Sequence, residues 1–224
     1  MDLRFFNITS IALKVWMSLL GSFLMIFLVV HLSINLCLLR SDGGLWFNAA
    51  AYFMGTNYVV HVLEVILFAG FIFHILLGIL LQLINWMSRP RRYYVKPRSR
   101  TPFLSKYMIY TGGIVLIFLA IHFMNFYFIR WGWIRNPLPA LEEGHPNFYG
   151  IARLLFSQPF YTVLYIVLII ILGFHLNHGF QAAFQSLGLN GRSYTPLIET
   201  IGLIYSILIP LGFIIIPLYL YFIR

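Results

Sequence analysis

Five long apolar stretches alternate with shorter, more polar segments along this chain of 224 residues. They cover approximately residues 14–39, 58–87, 107–130, 158–186 and 197–223. A membrane-spanning helix needs about 20 apolar residues, whereas a β-barrel strand needs about half as many and alternates in polarity. The pattern therefore predicts an all-α fold, a polytopic bundle of five transmembrane helices.

Composition and charge support a membrane protein rather than a soluble domain. Hydrophobic residues make up 61% of the chain and charged residues only 9%, a balance that soluble domains do not show. The net charge of +9 is unevenly spread. We interpret it as a sign of membrane topology, since no motif points to nucleic-acid binding. Seven basic residues and no acid lie between the second and third apolar stretches: Arg89, Arg91, Arg92, Lys96, Arg98, Arg100 and Lys106.

The positive-inside rule orients the five predicted helices. The basic segment is expected to be cytoplasmic, which puts the N-terminus and the loop around Arg192 on the same side and the C-terminus outside. Ten of the 15 lysines and arginines then lie inside. The first apolar stretch has no A-x-A-like cleavage site, so we expect a retained helix. The longest loop, from 131 to 158, is expected to form a partly ordered cap at the outer interface, where its aromatic residues fit.

Four histidines lie well inside four of the predicted helices, and their depths match in pairs. His31 and His122 come nine and eight residues before the arginine that ends each stretch, which places both in the outer half of the membrane. His74 and His175 each come about 16 residues after the outer start of their stretch, near the middle or in the inner half. An imidazole at such depth is costly unless it is hydrogen-bonded or ligates something, so these residues are functional-site candidates.

Two pairs of imidazoles at two depths predict two six-coordinate iron sites stacked across the membrane, because imidazole is a good ligand for haem iron. Gly78 and Gly179 follow His74 and His175 by one helical turn and would leave room for a porphyrin. A zinc site would gather its ligands at one depth, and a proton-relay channel would need more carboxylates than Glu64 alone. Both alternatives stay open, as does simple hydrogen bonding between helices. The absence of C-x-x-C-H excludes a covalently attached c-type haem, and a single cysteine allows no internal disulfide.

The segments around these histidines, VVHLSIN, FHILLGI, AIHFMNF and FHLNHGFQAAFQSLGLN, together resemble a known family. They are similar to the dihaem cytochrome b membrane-anchor subunit of succinate:quinone oxidoreductases and fumarate reductases, in the form that carries five helices on one polypeptide. The most specific feature is the order of four histidines on helices one to four, with none in helix five. The resemblance covers nearly the whole chain and implies a single cytochrome b domain over residues 1–224.

The resemblance implies two haems b, with His31 and His122 as axial ligands of the outer haem and His74 and His175 as those of the inner haem. It also implies a quinone, expected to be of the menaquinone type, and two partners on the cytoplasmic side, a flavoprotein subunit and an iron–sulfur subunit. The chain would lie in the bilayer of a bacterial cytoplasmic membrane and hold no dicarboxylate site. His178 has no role in this scheme; it could face a haem propionate or another helix, or replace His175 as ligand.

Glu64 is the only acid well inside a predicted helix. It lies ten residues outward of His74, so we expect it near the outer pair, where a buried carboxylate could exchange the quinol proton. His61, Asn57 and Tyr58 are weaker candidates at the same end. The alternative role for Glu64 is a hydrogen bond to a neighbouring helix or contact with water. Two other functions stay open: the dihaem cytochrome b of a membrane hydrogenase or formate dehydrogenase, and a haem-free transport or structural membrane protein.

Overall fold

The computed structural model describes residues 3–87, 107–141, 144–189, 191 and 193–223, and every regular element within them is a helix. The basic segment around Arg91 and the loop residue Arg192 lie outside these ranges. The elements are α1 (Leu3–Asn35) with a 3-10 turn (Leu36–Leu39), α2 (Leu45–Thr56), α3 (Tyr58–Met87), α4 (Met108–His122) with a π-helical turn (Phe123–Tyr127), α5 (Phe128–Arg130), α6 (Phe148–Phe156), α7 (Pro159–Ser186) and α8 (Thr195–Phe222).

Five of these helical stretches are long and apolar enough to cross a membrane, which confirms the predicted all-α fold with five spans. They are Ile11–Leu39, Tyr58–Met87, Met108–Arg130, Pro159–Ser186 and Thr195–Phe222. Their bounds lie within a few residues of the predicted ones because the change from apolar to polar sequence is sharp at each end. The chain therefore has the helices of a multi-pass membrane protein.

Helix α7 is the centre of the bundle. It packs against α1, α4 and α8, and its buried residues include Tyr165, Ile169, Leu172 and Leu176. Helix α8 lies along it so closely that a Cβ on Gly173 would meet the Ser206 carbonyl oxygen at 3.2 Å. The buried core is thus centred on the last two long helices, with further buried residues from α1, its 3-10 turn, α2 and α6.

Helix α3 lies at the edge of the bundle. Gly70 is its only buried residue, and it packs mainly against α1. A Cβ on Gly70 would meet Cε1 of Phe23 at 3.0 Å, so the absence of a side chain there permits the close approach of the two helices. Most other apolar side chains of α3 point outward, as expected for a helix that faces lipid.

Two short helices, α2 and α6, close the end of the bundle that contains Arg130, which we call the Arg130 end. Asn48 on α2 donates from Nδ2 to Oδ1 of Asn147 at 3.0 Å and accepts from the Tyr149 backbone N–H at 3.1 Å. Asn147 also caps α6 by accepting from the Gly150 N–H at 2.9 Å. Gly44, the N-cap residue of α2, has a φ of 87°, and a Cβ on it would overlap the Tyr149 side chain. Only glycine suits both conditions. The expected cap is thus built partly from helices.

Asp42 fastens the start of α2. Its carboxylate accepts from the Gly44 N–H at 3.0 Å, from the Trp46 N–H at 3.4 Å and from Nε of Arg40 at 3.2 Å. Desolvation acts in the opposite direction, but these donors together hold the pKa of Asp42 below its ordinary value. The carboxylate therefore stays ionised at neutral pH and keeps the first turn of α2 attached to the loop.

Candidate functional site

The four membrane-depth histidines meet in two pairs. His31 on α1 faces His122 at the end of α4, with ring centroids 5.8 Å apart and ring planes at 90°. His74 on α3 faces His175 on α7, with centroids 6.4 Å apart and planes at 74°. These are the pairs that the depth argument predicts, and each brings together two separate helices.

The separation within each pair is compatible with two imidazoles sharing one metal ion, and it is also ordinary for two rings in edge-to-face contact. With metal–nitrogen distances of about 2 Å, imidazoles on opposite sides of a metal have ring centres about 6 Å apart. A structural zinc site needs four ligands, and within the described ranges no three His, Cys, Asp or Glu side chains are grouped to hold a metal ion. The histidines therefore suit a metal whose remaining ligands come from elsewhere.

The two pairs lie at different levels of the bundle. Tyr165 on α7 contacts His122 at a centroid distance of 6.4 Å, and His175 follows ten residues later on the same helix. Thr111 on α4 contacts His175, and His122 follows eleven residues later. At 1.5 Å per residue, both helices give a separation of about 15 Å between the pairs. The His31–His122 pair is the one nearer the Arg130 end.

Two glycines on neighbouring helices clear the sides of the His74–His175 pair. A Cβ on Gly21 of α1 would lie 3.8 Å from Cε1 of His74, and one on Gly112 of α4 would lie 3.4 Å from Cε1 of His175. Neither was predicted. Sequence spacing singled out Gly78 and Gly179 instead.

Gly78 and Gly179 face flexible methionine side chains rather than the imidazoles. A Cβ on Gly78 would meet Cε of Met17 at 3.4 Å, and one on Gly179 would meet Cε of Met108 at 3.6 Å. Methionine has three rotatable bonds and readily adapts to irregular spaces. The region around the pair is therefore bounded by four backbone positions without side chains and by two side-chain ends that can move.

The two imidazoles of this pair differ in their hydrogen bonding. Nδ1 of His175 lies 3.3 Å from Oγ1 of Thr111. Nδ1 of His74 is buried and has no hydrogen-bond partner among the described residues. A buried polar atom without a partner is costly and calls for an explanation such as a missing ligand.

Aromatic side chains surround the His31–His122 pair. Phe27 stacks on His31 at 5.2 Å, Phe213 lies 5.7 Å from it, and Phe126 lies 5.2 Å from His122. Two amides lie nearby: Nδ2 of Asn35 donates to the His31 carbonyl at 2.7 Å and also lies 3.4 Å from Nδ1 of the His31 ring, and Asn125 donates to the Tyr165 hydroxyl at 2.9 Å. The pair is thus surrounded mainly by aromatic rings, with one amide next to the His31 imidazole.

Glu64 on α3 is the centre of a polar cluster at the Arg130 end. The Tyr127 hydroxyl donates to its Oε1 at 2.7 Å, and Nη2 of Arg130 lies 3.3 Å from its Oε2. His61 Nδ1 lies 3.4 Å from the same Oε2, and Arg130 also donates to the Gly55 carbonyl at 3.3 Å. Side-chain exposure falls from 38% at His61 to 23% at Arg130 and 13% at Glu64. The cluster therefore leads from the protein surface to a partly buried carboxylate.

Beside Glu64 is an open cleft of about 680 Å³, within the size range of small-molecule sites. His61, Glu64 and Tyr127 provide its polar groups, and Phe68, Ile72 and Trp131 are among its apolar lining. The cleft suits a molecule with one polar, aromatic end and an apolar remainder.

No family model, curated protein or solved structure matches this chain. Its function therefore has to be inferred from its own residues and their arrangement.

The sequence did not reveal Tyr127 and Arg130 as partners of Glu64. The π-helical turn Phe123–Tyr127 directly follows His122 and has a wider turn than an α-helix, which changes the direction of every later side chain. Such turns are frequent at functional sites. The only signal in the sequence was that Glu64 and Arg130 both lie toward the same end of neighbouring spans.

The remaining predicted residues have simpler roles. Asn57 caps α3 by accepting from the Val59 N–H at 2.9 Å, and Tyr58 is 80% exposed. Among the described residues, the polar partners of Glu64 are instead His61, Tyr127 and Arg130. His178 lies three residues after His175, and the ring that faces His74 belongs to His175.

Proposed function

We propose that this chain is the membrane-anchor electron-transfer subunit of a succinate dehydrogenase or fumarate reductase complex and carries two haems b. The observation behind the proposal is that four histidines from four helices form two facing pairs about 15 Å apart. In this proposal His31 and His122 hold the outer haem, and His74 and His175 hold the inner one. His175 rather than His178 is the ligand because its ring is opposite His74.

The residues present fit such a group. The ring separations suit one metal between two imidazoles, and the buried Nδ1 of His74, which has no partner among the described residues, is consistent with a site that takes up a further group or a water. Gly21 and Gly112 keep the flanks of the pair free, and the ends of Met17 and Met108 can rotate away. Bound haem would supply one-electron transfer, while the protein fixes the ligands, spacing and polarity.

The orientation follows from the basic charge of the chain. We place the N-terminus and the segment from 88 to 106 on the cytoplasmic side and the C-terminus outside. In this proposal the seven basic residues of that segment attract the cytoplasmic iron–sulfur and flavoprotein subunits. The dicarboxylate site belongs to the flavoprotein, and the membrane is a bacterial cytoplasmic membrane.

Glu64 is proposed as the proton-exchanging group of a quinone site. A quinol that is oxidised to a quinone releases two electrons and two protons, so its site needs a proton acceptor next to the ring oxygens. The Glu64 carboxylate lies on the wall of the 680 Å³ cleft, where Trp131 and Phe68 can contact the ring and Ile72 the isoprenoid tail. His61 and Arg130 connect that carboxylate to the exposed end of the bundle. The quinone type is expected to be menaquinone.

A redox-titrated optical spectrum of the purified complex tests the proposal. We expect a b-type spectrum, two haems per chain and two separable midpoint potentials. His74→Ala should abolish the inner haem signal and leave the outer one at least partly bound, and His31→Ala should do the reverse. His178→Ala, on the same helix as His175, is the matched control and should keep both haems.

Several results would refute the proposal in distinct ways. A chain with one haem or none contradicts the two-haem assignment, and loss of only the outer signal in His74→Ala contradicts the pairing. Co-purification with hydrogenase or formate dehydrogenase subunits, without flavin or succinate oxidation, would retain the haems and assign them to another oxidoreductase. Unchanged spectra in all the histidine variants would favour a haem-free transport or structural protein.

A further inference from the structure

Thr111 on α4 is the only described side chain that hydrogen-bonds a ring nitrogen of the His74–His175 pair. Its Oγ1 lies 3.3 Å from Nδ1 of His175. The same hydroxyl donates to the Met108 carbonyl at 3.0 Å, one turn earlier on its own helix. The threonine is thus held by its own backbone while it touches the imidazole of another helix.

The direction of the second bond follows from counting protons. A threonine hydroxyl has one proton and two lone pairs, and the Met108 carbonyl accepts that proton. For both hydrogen bonds to be made at once, the oxygen must accept from His175, which requires that Nδ1 carries the proton. A neutral imidazole has one N–H, so Nε2 is left as the nitrogen with a free lone pair.

We propose that Thr111 is a positioning residue that fixes the tautomer and the ring orientation of His175, so that Nε2 is the atom presented to the inner haem iron. The inference rests on the proposed haem function and adds a residue that the ligand pattern alone does not reveal. An N–H bond to a ligating imidazole also raises its basicity, which stabilises the oxidised metal. His74 lacks such a bond within the described chain, so the two ligands of one haem are held unequally.

The geometry around Thr111 supports a positioning role. The next residue, Gly112, leaves the side of the His175 ring open, and a Cβ there would lie 3.8 Å from Nδ1. No side chain of residue 112 therefore fixes the orientation of the ring on that side. The hydroxyl of Thr111 is the group in position to do so.

The test replaces Thr111 in the complete complex and measures each haem separately. Thr111→Val removes the hydroxyl at nearly constant volume, Thr111→Ala removes it without branching, and Thr111→Ser keeps it. Thr200→Val is the matched control, because Thr200 donates to the Pro196 carbonyl at 2.9 Å in the same manner and is exposed, on a different helix. The readouts are haem content, the midpoint potential of each haem and the electron paramagnetic resonance signal of the oxidised inner haem.

We expect Thr111→Val and Thr111→Ala to raise the potential of the inner haem while the outer haem stays unchanged. A tenfold change in the ratio of reduced to oxidised inner haem corresponds to about 59 mV for a one-electron couple. Selective loss of the inner haem would also support the inference, since loss of an outer-shell partner weakens metal binding about 10- to 100-fold. Thr111→Ser and Thr200→Val should behave like the unmodified protein.

Two results would overturn the positioning role. The first is an inner haem that remains bound in Thr111→Val and Thr111→Ala with unchanged potential and resonance signal. The second is loss of both haems in these two variants while Thr111→Ser is normal, which would show that the hydroxyl supports the helix in general. An unmodified complex without haem would instead refute the proposed function, so the two failures can be told apart.

Discussion

Gly112 offers a test of the His74–His175 site that leaves every ligand in place. A Cβ there would lie 3.4 Å from Cε1 of His175, which is already van der Waals contact. Gly112→Ala should therefore be tolerated, whereas the three further carbons of Gly112→Leu must displace the ring. Inserting bulk into packed sites costs about 1–3 kcal/mol. At 1.4 kcal/mol per factor of ten, that corresponds to about 5- to 150-fold weaker retention of the proposed inner haem.

The adjacent glycine is an unusually close control. A Cβ on Gly113 would meet nothing within 4 Å, so Gly113→Leu adds the same bulk to the same helix on an open side. Both variants should accumulate in the membrane. Haem per chain is then measured during dilution or competition with a haem-binding protein, and the two midpoint potentials are measured separately. The reasoning fails if Gly112→Leu keeps an inner haem of normal affinity and potential, or if Gly113→Leu loses it equally.

Two further predictions concern the Arg130 end. Arg130→Met should lower the free energy of unfolding because it removes the cation that pairs with the Glu64 carboxylate. A double-mutant cycle with Glu64→Gln, measured by denaturant unfolding in detergent, should give a coupling energy of about 0.5–3 kcal/mol. Additive effects of the two substitutions would contradict the ion pair. Asn147→Ala removes both the cap of α6 and the acceptor for Asn48, and should lower stability by about 1–2 kcal/mol, seen as a lower thermal midpoint. An unchanged midpoint would show that the two short helices are held by other contacts.

The positions of the spans and the pairing of the histidines could be predicted because both depend on properties that are local in sequence. Apolar length sets where a span begins and ends, and a rise of 1.5 Å per residue sets the height of His31, His74, His122 and His175 along it. Helices with matched heights need only lie side by side for the rings to meet. The two facing pairs agree with this reasoning.

The direction in which a residue faces could not be predicted in the same way. Height along a helix does not determine its rotation about its own axis, which depends on how neighbouring helices pack. The sequence predicted that Gly78 and Gly179 leave room for a porphyrin, but it did not predict that Gly21 and Gly112 lie beside the imidazoles. The contact of Thr111 with His175 could not be predicted for the same reason.

Short and irregular elements also could not be predicted from the sequence. Helix α2 has 12 residues and α6 has nine, too few to stand out as spans between the long apolar stretches. The π-helical turn after His122 has no distinct sequence pattern, yet it contains Tyr127 and precedes Arg130, two members of the cluster around Glu64. Glu64 consequently lies at the level of Tyr127, five residues beyond His122 and about 8 Å nearer the end of the bundle.

The arrangement of the two histidine pairs also sets an order of events during synthesis. Each pair joins a helix made early, α1 or α3, to one made late, α4 or α7. His31 precedes His122 by 91 residues, and His74 precedes His175 by 101. At a synthesis rate of about 5–20 residues per second, each early histidine is therefore made about 5–20 s before its partner. Because α7 is also the centre of the bundle, the first helices reach the membrane before the helix that will hold them together. A chain that stops before residue 175 can complete the His31–His122 pair but not the His74–His175 pair.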